Sequence, residues 1–251
     1  MSQVETLPVQ QPSVKPFGTL CLDWHDTVVD ARFGKRKAVE EKLGLVFPVD
    51  TFNGGAIHRE RQMGWDPVRK RRRPVTKDDY KPCLSHLFIP SVYLDWMRPM
   101  QAVEDGLLHL VPYFERIEIV TTAYGAVTHM VDEIVLRYDL PVDDVIHLPA
   151  GTDEQKRVEK LKRYALADVA VDNDPQFLLG IEERYGTKPL ILLPGEGETG
   201  WRAARRLTRA YRDPFQGEEP FYEEQIAVLP AADGWGKAPG LIVPELMQQA
   251  A

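Results

Sequence analysis

The chain has 251 residues, 43% of them apolar and 27% charged, with a formal net charge of −7. This is the make-up of an ordinary globular protein with enough chain for one or two compact domains. No apolar run approaches the ~18 residues needed to cross a bilayer. The first residues lack the basic-then-apolar pattern of a secretory signal, and the two cysteines, Cys21 and Cys83, are too few for a disulfide framework or a cysteine-rich zinc site. A reducing, cytoplasmic setting is the expectation, and the acidic balance argues against a nucleic-acid coat without excluding a local basic patch.

Residues 1–16 are polar and carry three prolines, and are expected to form a flexible leader. Residues 18–23 (GTLCLD) are the first strand signal. A helical pattern over 36–43 is closed by Gly44. Residues 45–82 hold Asn53-Gly-Gly55 and the basic run Arg69 to Arg73, and are expected to be loop with short helices. Residues 83–98 are apolar and aromatic, interrupted by Pro90, and suggest helical cover for a core.

From residue 99 the pattern becomes regular. A helix over 100–111 precedes a buried strand at 117–121 (IEIVT). Helices over 129–138, 154–164 and 177–185 alternate with strands at 145–148, 167–171 and 189–194. Such alternation predicts an α/β fold with a parallel sheet covered on both faces through right-handed crossovers. Residues 195–251 do not continue the pattern. They hold a basic amphipathic stretch at 201–211 and the aromatics Trp201, Tyr211, Phe215, Phe221, Tyr222 and Trp235, outside the predicted core.

Ligands of an open parallel sheet bind beyond the carboxyl ends of its strands. Here the strand ends are polar: Asp23-Trp24-His25-Asp26-Thr27, then Thr121-Thr122, then Asp172-Asn173-Asp174. A helix bearing Lys156, Lys160 and Lys162 comes just before the last. Clustered carboxylates and hydroxyls suit Mg²⁺, which takes oxygen ligands and keeps several waters. A lysine beside them would offset phosphate charge.

Those residues, in that order, resemble the haloacid dehalogenase (HAD) superfamily, mostly Mg²⁺-dependent phosphatases and phosphotransferases with an aspartate nucleophile. The resemblance covers residues 17–194 and implies a HAD-like Rossmannoid core over 17–29 and 99–194, with a helical cap inserted at 30–98 and an extension over 195–251. The first motif, an apolar strand followed by Asp-x-Asp-x-Thr, reads here Leu20-Cys21-Leu22-Asp23-Trp24-His25-Asp26-Thr27. Asp23 then matches the nucleophile and Thr27 the threonine. His25 stands where the family has its aspartate acid–base and is expected to act in its place, since an imidazole can protonate the leaving oxygen and then help activate water; Asp26 stands where glycine is frequent. Thr121, with Thr122 beside it, matches the hydroxyl that binds a phosphate oxygen. The motif lysine is one of Lys156, Lys160 and Lys162, and Lys156 is favoured because it lies near the start of its helix. The last motif resembles the Asp-Asn-Ser-Pro form of phosphatases acting on protein C-terminal tails. It implies Mg²⁺ held by Asp23, the His25 backbone carbonyl, and Asn173 or Asp172.

The expected activity is Mg²⁺-dependent hydrolysis of a small phosphomonoester or nucleotide through an aspartyl-phosphate. Two alternatives remain open. One is a catalytically degenerate HAD-like module that binds a protein partner through its C-terminal extension, with His25 marking a lost acid. The other is a nucleic-acid end phosphatase in which the basic run, with Arg71 at its centre, holds the polyanion. Trp24 either stacks on a substrate ring or fills space under the cap. His58, His86, His109, His129 and His147 show no ligand spacing.

Overall fold

The structure is a computed structural model. It describes residues 17–47, 62–123, 125–174, 177–178, 190–192, 226–228, 235–236, 238–240 and 242. The expected leader and the helices over 177–185 and 201–211 lie wholly or mostly outside the described residues.

The elements follow in chain order. Strand β1 is Phe17–Asp23 and helix α1 is Ala31–Leu43; Asp30 accepts the Arg32 and Phe33 amides at the start of α1, and Gly44 ends it. Strands β2 (Gln62–Asp66) and β3 (Arg71–Val75) form an antiparallel hairpin, followed by α2 (Lys77–Leu87), α3 (Pro90–Trp96) and α4 (Val103–Leu110). The rest runs β4 (Phe114–Thr121), a 3-10 turn at Gly125–Val127, α5 (Thr128–Arg137), β5 (Asp144–His147), α6 (Asp153–Leu166), β6 (Val169–Asp172), β7 (Leu190–Leu192) and β8 (Ile226–Val228). No helix among the described residues is long and apolar enough to cross a membrane.

The main sheet has the order β5-β4-β1-β6-β7-β8, and every described pairing is parallel. The predicted α/β architecture is therefore observed. The two-residue period of the strands explains its layers. Leu20, Leu22, Ile119, Val169 and Val171 face a core that takes in Leu107, Val131 and Ile134 of α4 and α5. Cys21, Val120 and Ala170 face the other way, onto Leu161 and Tyr164 of α6.

Two expectations are corrected. Residues 62–75 form a hairpin, not loop with short helices. Asp66 turns it by accepting the amides of Val68 and Arg69 at 3.0 and 2.9 Å, a local bond that propensity averages miss. The stretch between β1 and α4 is thus not purely helical. The region after 194 also supplies part of the core. Strand β8 extends the sheet beyond β7, and Trp235 is fully buried, donating its indole N–H to the Thr27 carbonyl at 2.8 Å. Gly106 of α4 makes that approach possible, since a Cβ there would meet the Trp235 carbonyl oxygen at 2.7 Å. Trp235 is therefore a packing residue and is not exposed to a partner.

Candidate active site

Register sets the site. Asp23 pairs with Val120, one residue before Thr121, and Leu22 pairs with Val171, one residue before Asp172. Asp23, Thr121 and Asp172 therefore end three adjacent strands at one level of the carboxyl edge, as the sequence predicts.

The lysine at this edge is Lys160. Its Nζ lies 2.5 Å from Asp23 Oδ1 and 2.8 Å from Asp172 Oδ2, and the residue is 3% exposed. Lys156, favoured from its place near the helix start, is not the residue that makes these ion pairs. Helical side chains lean toward the helix N-terminus, so a long one set a turn deeper reaches back up to the strand ends. Phe177 lies with its ring centroid 4.1 Å from the ammonium and Tyr164 at 5.3 Å, sealing it from water.

Asp172 is fully buried. Its Oδ2 also accepts from the Tyr164 hydroxyl at 2.8 Å, and its Oδ1 accepts from the Asp174 amide at 2.7 Å. Burial raises its pKa to about 6, with Lys160 pulling it down and Asp23 pushing it up. Burial alone would lower the Lys160 pKa, but Asp172 and Asp23 outweigh it and hold the ammonium above its ordinary value. Burial, with Asp172 beside it, likewise keeps the Tyr164 phenol protonated.

Asp23 is less fully engaged. Lys160 takes Oδ1, while Oδ2 has, among the described residues, only the Thr27 hydroxyl at a long 3.3 Å. One oxygen of the carboxylate is thus loosely held at the sheet edge. The Thr121 hydroxyl accepts the Ala123 amide at 3.0 Å, which orients it and leaves its own proton for an acceptor beyond the strand. Thr122 follows, partly exposed.

Residues 24–29 form a tight turn in which the Trp24 carbonyl accepts the amides of Val28 and Val29. Asp26 sits in it at φ 62°, the left-handed region that favours glycine and tolerates aspartate. Its carboxylate pairs with Lys35 of α1 at 3.0 Å. Burial pushes the Asp26 pKa up, but Lys35 and Arg32 outweigh it and hold it below the ordinary value.

His25 meets a residue that sequence reasoning missed. The Tyr93 hydroxyl, from α3, lies 2.7 Å from His25 Nε2 and accepts the Trp24 indole N–H at 2.8 Å. Tyr93 is fully buried, so its proton needs an acceptor, and Nε2 serves, leaving Nδ1 as the protonated nitrogen. Burial first, then Lys35 and Lys160, push the imidazole pKa down to about 3, with Asp26 acting the other way. Trp24 is fully buried and bonded to Tyr93, so it fills the core and does not stack on a ligand.

Among the described residues no group of three His, Cys, Asp or Glu side chains forms a ready-made metal cage. The donor set still suits a hard ion that keeps waters: the loosely held Asp23 oxygen, the His25 carbonyl and the partly exposed Asn173 amide. Asp172 suits it less, because both its oxygens already have partners. Arg71 lies in β3, and no hydrogen bond or ion pair among the described residues links it to the carboxylates.

Neither a protein-family model nor a curated protein matches the sequence. Solved structures do match. A haloacid dehalogenase-like hydrolase from Streptococcus pneumoniae superposes with a TM-score of 0.53 at 14% identity, over 92% of this chain and 99% of its own. A protein named as a phosphatase from Clostridium difficile superposes with a TM-score of 0.50 at 11% identity, over 88% and 97%. The chain has the haloacid dehalogenase-like fold. At such identities the likeness concerns the fold, and the chemistry must be argued from this HAD-like chain's own residues.

Proposed function

We propose that this chain is a member of the HAD superfamily and a Mg²⁺-dependent phosphohydrolase acting on a small phosphomonoester or nucleotide. The observation that carries the reading is the buried Asp23–Lys160–Asp172 cluster at the sheet's carboxyl edge, with one Asp23 oxygen loosely held. Burying two carboxylates and an ammonium is costly, and strongly perturbed charges gathered at the strand ends mark a candidate functional site.

Asp23 Oδ2 attacks phosphorus in line. A bond forms between that oxygen and phosphorus as the bond to the leaving oxygen breaks, giving an aspartyl-phosphate. Water then attacks phosphorus, releasing inorganic phosphate and restoring the carboxylate. Lys160 offsets phosphate charge, Asp172 and Tyr164 hold Lys160 in place, and the Thr121 hydroxyl donates to a phosphate oxygen. Asp23, the His25 carbonyl and Asn173 would hold Mg²⁺, with Asp172 behind them. Bound there, the ion would weaken the repulsion between carboxylate and phosphate. His25, a neutral imidazole near pH 7, would offer the leaving oxygen a hydrogen bond from Nδ1–H, and the proton that completes the leaving group would come from water.

The environment of His25 also supports a second reading, a binding module that has lost its acid. A panel of phosphate esters, assayed for phosphate release with and without Mg²⁺, separates the two. The hydrolase reading requires Mg²⁺-dependent turnover by the parent and background rates for Asp23→Asn. No release by the parent from any ester favours the binding module.

A further inference from the structure

The hairpin is the feature that the proposed chemistry does not use. In an antiparallel pair, residues directly opposite one another share a face. Met63 pairs with Pro74 and Trp65 with Arg72, so these four share one face. Val46 bridges to Trp65 on its other side, through amide bonds of 2.8 and 2.9 Å, and continues the row.

The opposite face is docked. Gly64 lies so close to the body that a Cβ there would meet the Phe47 ring at 2.7 Å and the Leu45 Cβ at 3.0 Å. The Val46–Trp65–Arg72 row is therefore turned outward. Trp65 is 45% exposed, Val46 51% and Met63 46%, while Val68 at the tip is 87% exposed.

The charges have a pattern too. Arg69 is tied to Asp66 at 3.1 Å and Arg73 to Asp79 at 2.6 Å, so these two serve the fold. Lys70, Arg71 and Arg72 are exposed and make no ion pair among the described residues. Arg72 lies opposite Trp65 on the outward face, Arg71 lies opposite Asp66 on the other face, and Lys70 sits in the turn, so Arg72 and Lys70 are the cations beside the exposed indole, in a chain whose net charge is −7. The net field of the protein repels polyanions, so attraction here must come from a local cluster of cations.

We propose that the outward face of the β2–β3 hairpin binds single-stranded nucleic acid, with Trp65 as a stacking platform and Lys70 and Arg72 on the phosphates. A flat aromatic face beside closely spaced cations is the pairing that unstacked strands require, since every base has a face to stack and every linkage a charge to neutralise. A purely acidic protein partner would leave the indole unused, and a duplex keeps its bases stacked on one another. The proposal rests on the hairpin alone and stands whether or not the carboxylate site turns over.

The test is fluorescence anisotropy of the full chain with labelled oligothymidine and oligouridine of about 16 nucleotides, titrated at several salt concentrations. A duplex of equal length and phosphatidylserine vesicles serve as competitors. Saturable binding is expected, with log affinity falling linearly in log salt. Lys70→Glu/Arg72→Glu should weaken binding by at least tenfold and flatten the slope by about 0.7 for each phosphate no longer neutralised. Trp65→Ala should cost about tenfold and Trp65→Phe much less. Lys70 and Arg72 are exposed, so the charge variant should keep the parent's melting temperature. No saturable binding, equal binding by parent and variants, or displacement by duplex or vesicles in preference to free single strand overturns the proposal.

Discussion

The Tyr93 hydroxyl lies 2.7 Å from His25 Nε2, so a helix from the segment inserted after β1 reaches the position where the resemblance expects an acid. The bond ties the conformation of the insert to the orientation of the imidazole. The same phenol oxygen anchors Trp24, accepting from the indole nitrogen at 2.8 Å. Tyr93→Phe removes that acceptor from a buried N–H and should cost about 1–3 kcal/mol of stability. Chemical denaturation of parent and variant measures the loss, and an unchanged midpoint contradicts the bond.

The same imidazole makes stability depend on pH. Its pKa is about 3 in the folded chain, against an ordinary value of 6.5. Between those values the unfolded chain binds a proton that the folded chain does not, so stability falls as pH drops from about 6.5 toward 3. The limiting slope is about 1.4 kcal/mol per pH unit, and the partial exposure of His25 brings it lower. His25→Gln should flatten the dependence between about pH 6.5 and 4.5. An identical slope in parent and variant denies the shift.

Lys160 and Lys156 should separate cleanly. Lys160→Met leaves Asp23 and Asp172 facing each other in a buried site and should cost about 3–5 kcal/mol, together with all turnover. Lys156→Ala should cost far less stability than Lys160→Met and leave turnover near the parent's. The reverse pattern, read from melting curves and phosphate release, would return the role to Lys156.

Gly106→Ala tests whether the C-terminal region belongs to the core. The added methyl would meet the Trp235 carbonyl oxygen at 2.7 Å, so one of them must move. Overpacking of this kind costs about 1–3 kcal/mol, against the gain of a few tenths to about 1 kcal/mol that Gly→Ala brings in an open helix. A stabilised Gly106→Ala would show that Trp235 does not pack there.

Much of this was legible in the sequence because the strand ends carry their own punctuation. Asp23, Thr121 and Asp172 each close an apolar run, and parallel pairing brings such ends to one level. What was not legible depends on depth and on distant partners. Nothing local separates Lys156 from Lys160: they lie one turn apart on α6, and only the height of the helix against the sheet decides between them. Tyr93 reads as an apolar-face aromatic, and its bond to His25 spans 68 residues. Trp235 reaches Thr27 across 208 residues, beyond any periodicity. The hairpin was hidden because its turn is made by one Asp66 carboxylate, while the basic run in it suggests a solvated loop.

Asp23 is the proposed nucleophile, and the phosphoryl-enzyme is the species that would reveal it. The parent, mixed with Mg²⁺ and an excess of an aryl phosphate, is quenched in acid within the first turnover, digested and mapped by mass spectrometry. A phosphoryl group is expected on the peptide containing Asp23, absent from Asp23→Asn and accumulating in a variant slowed at the second step. Phosphate release from the parent with no phosphorylated Asp23 peptide at any quench time, or release by Asp23→Asn at the parent's rate, would contradict it.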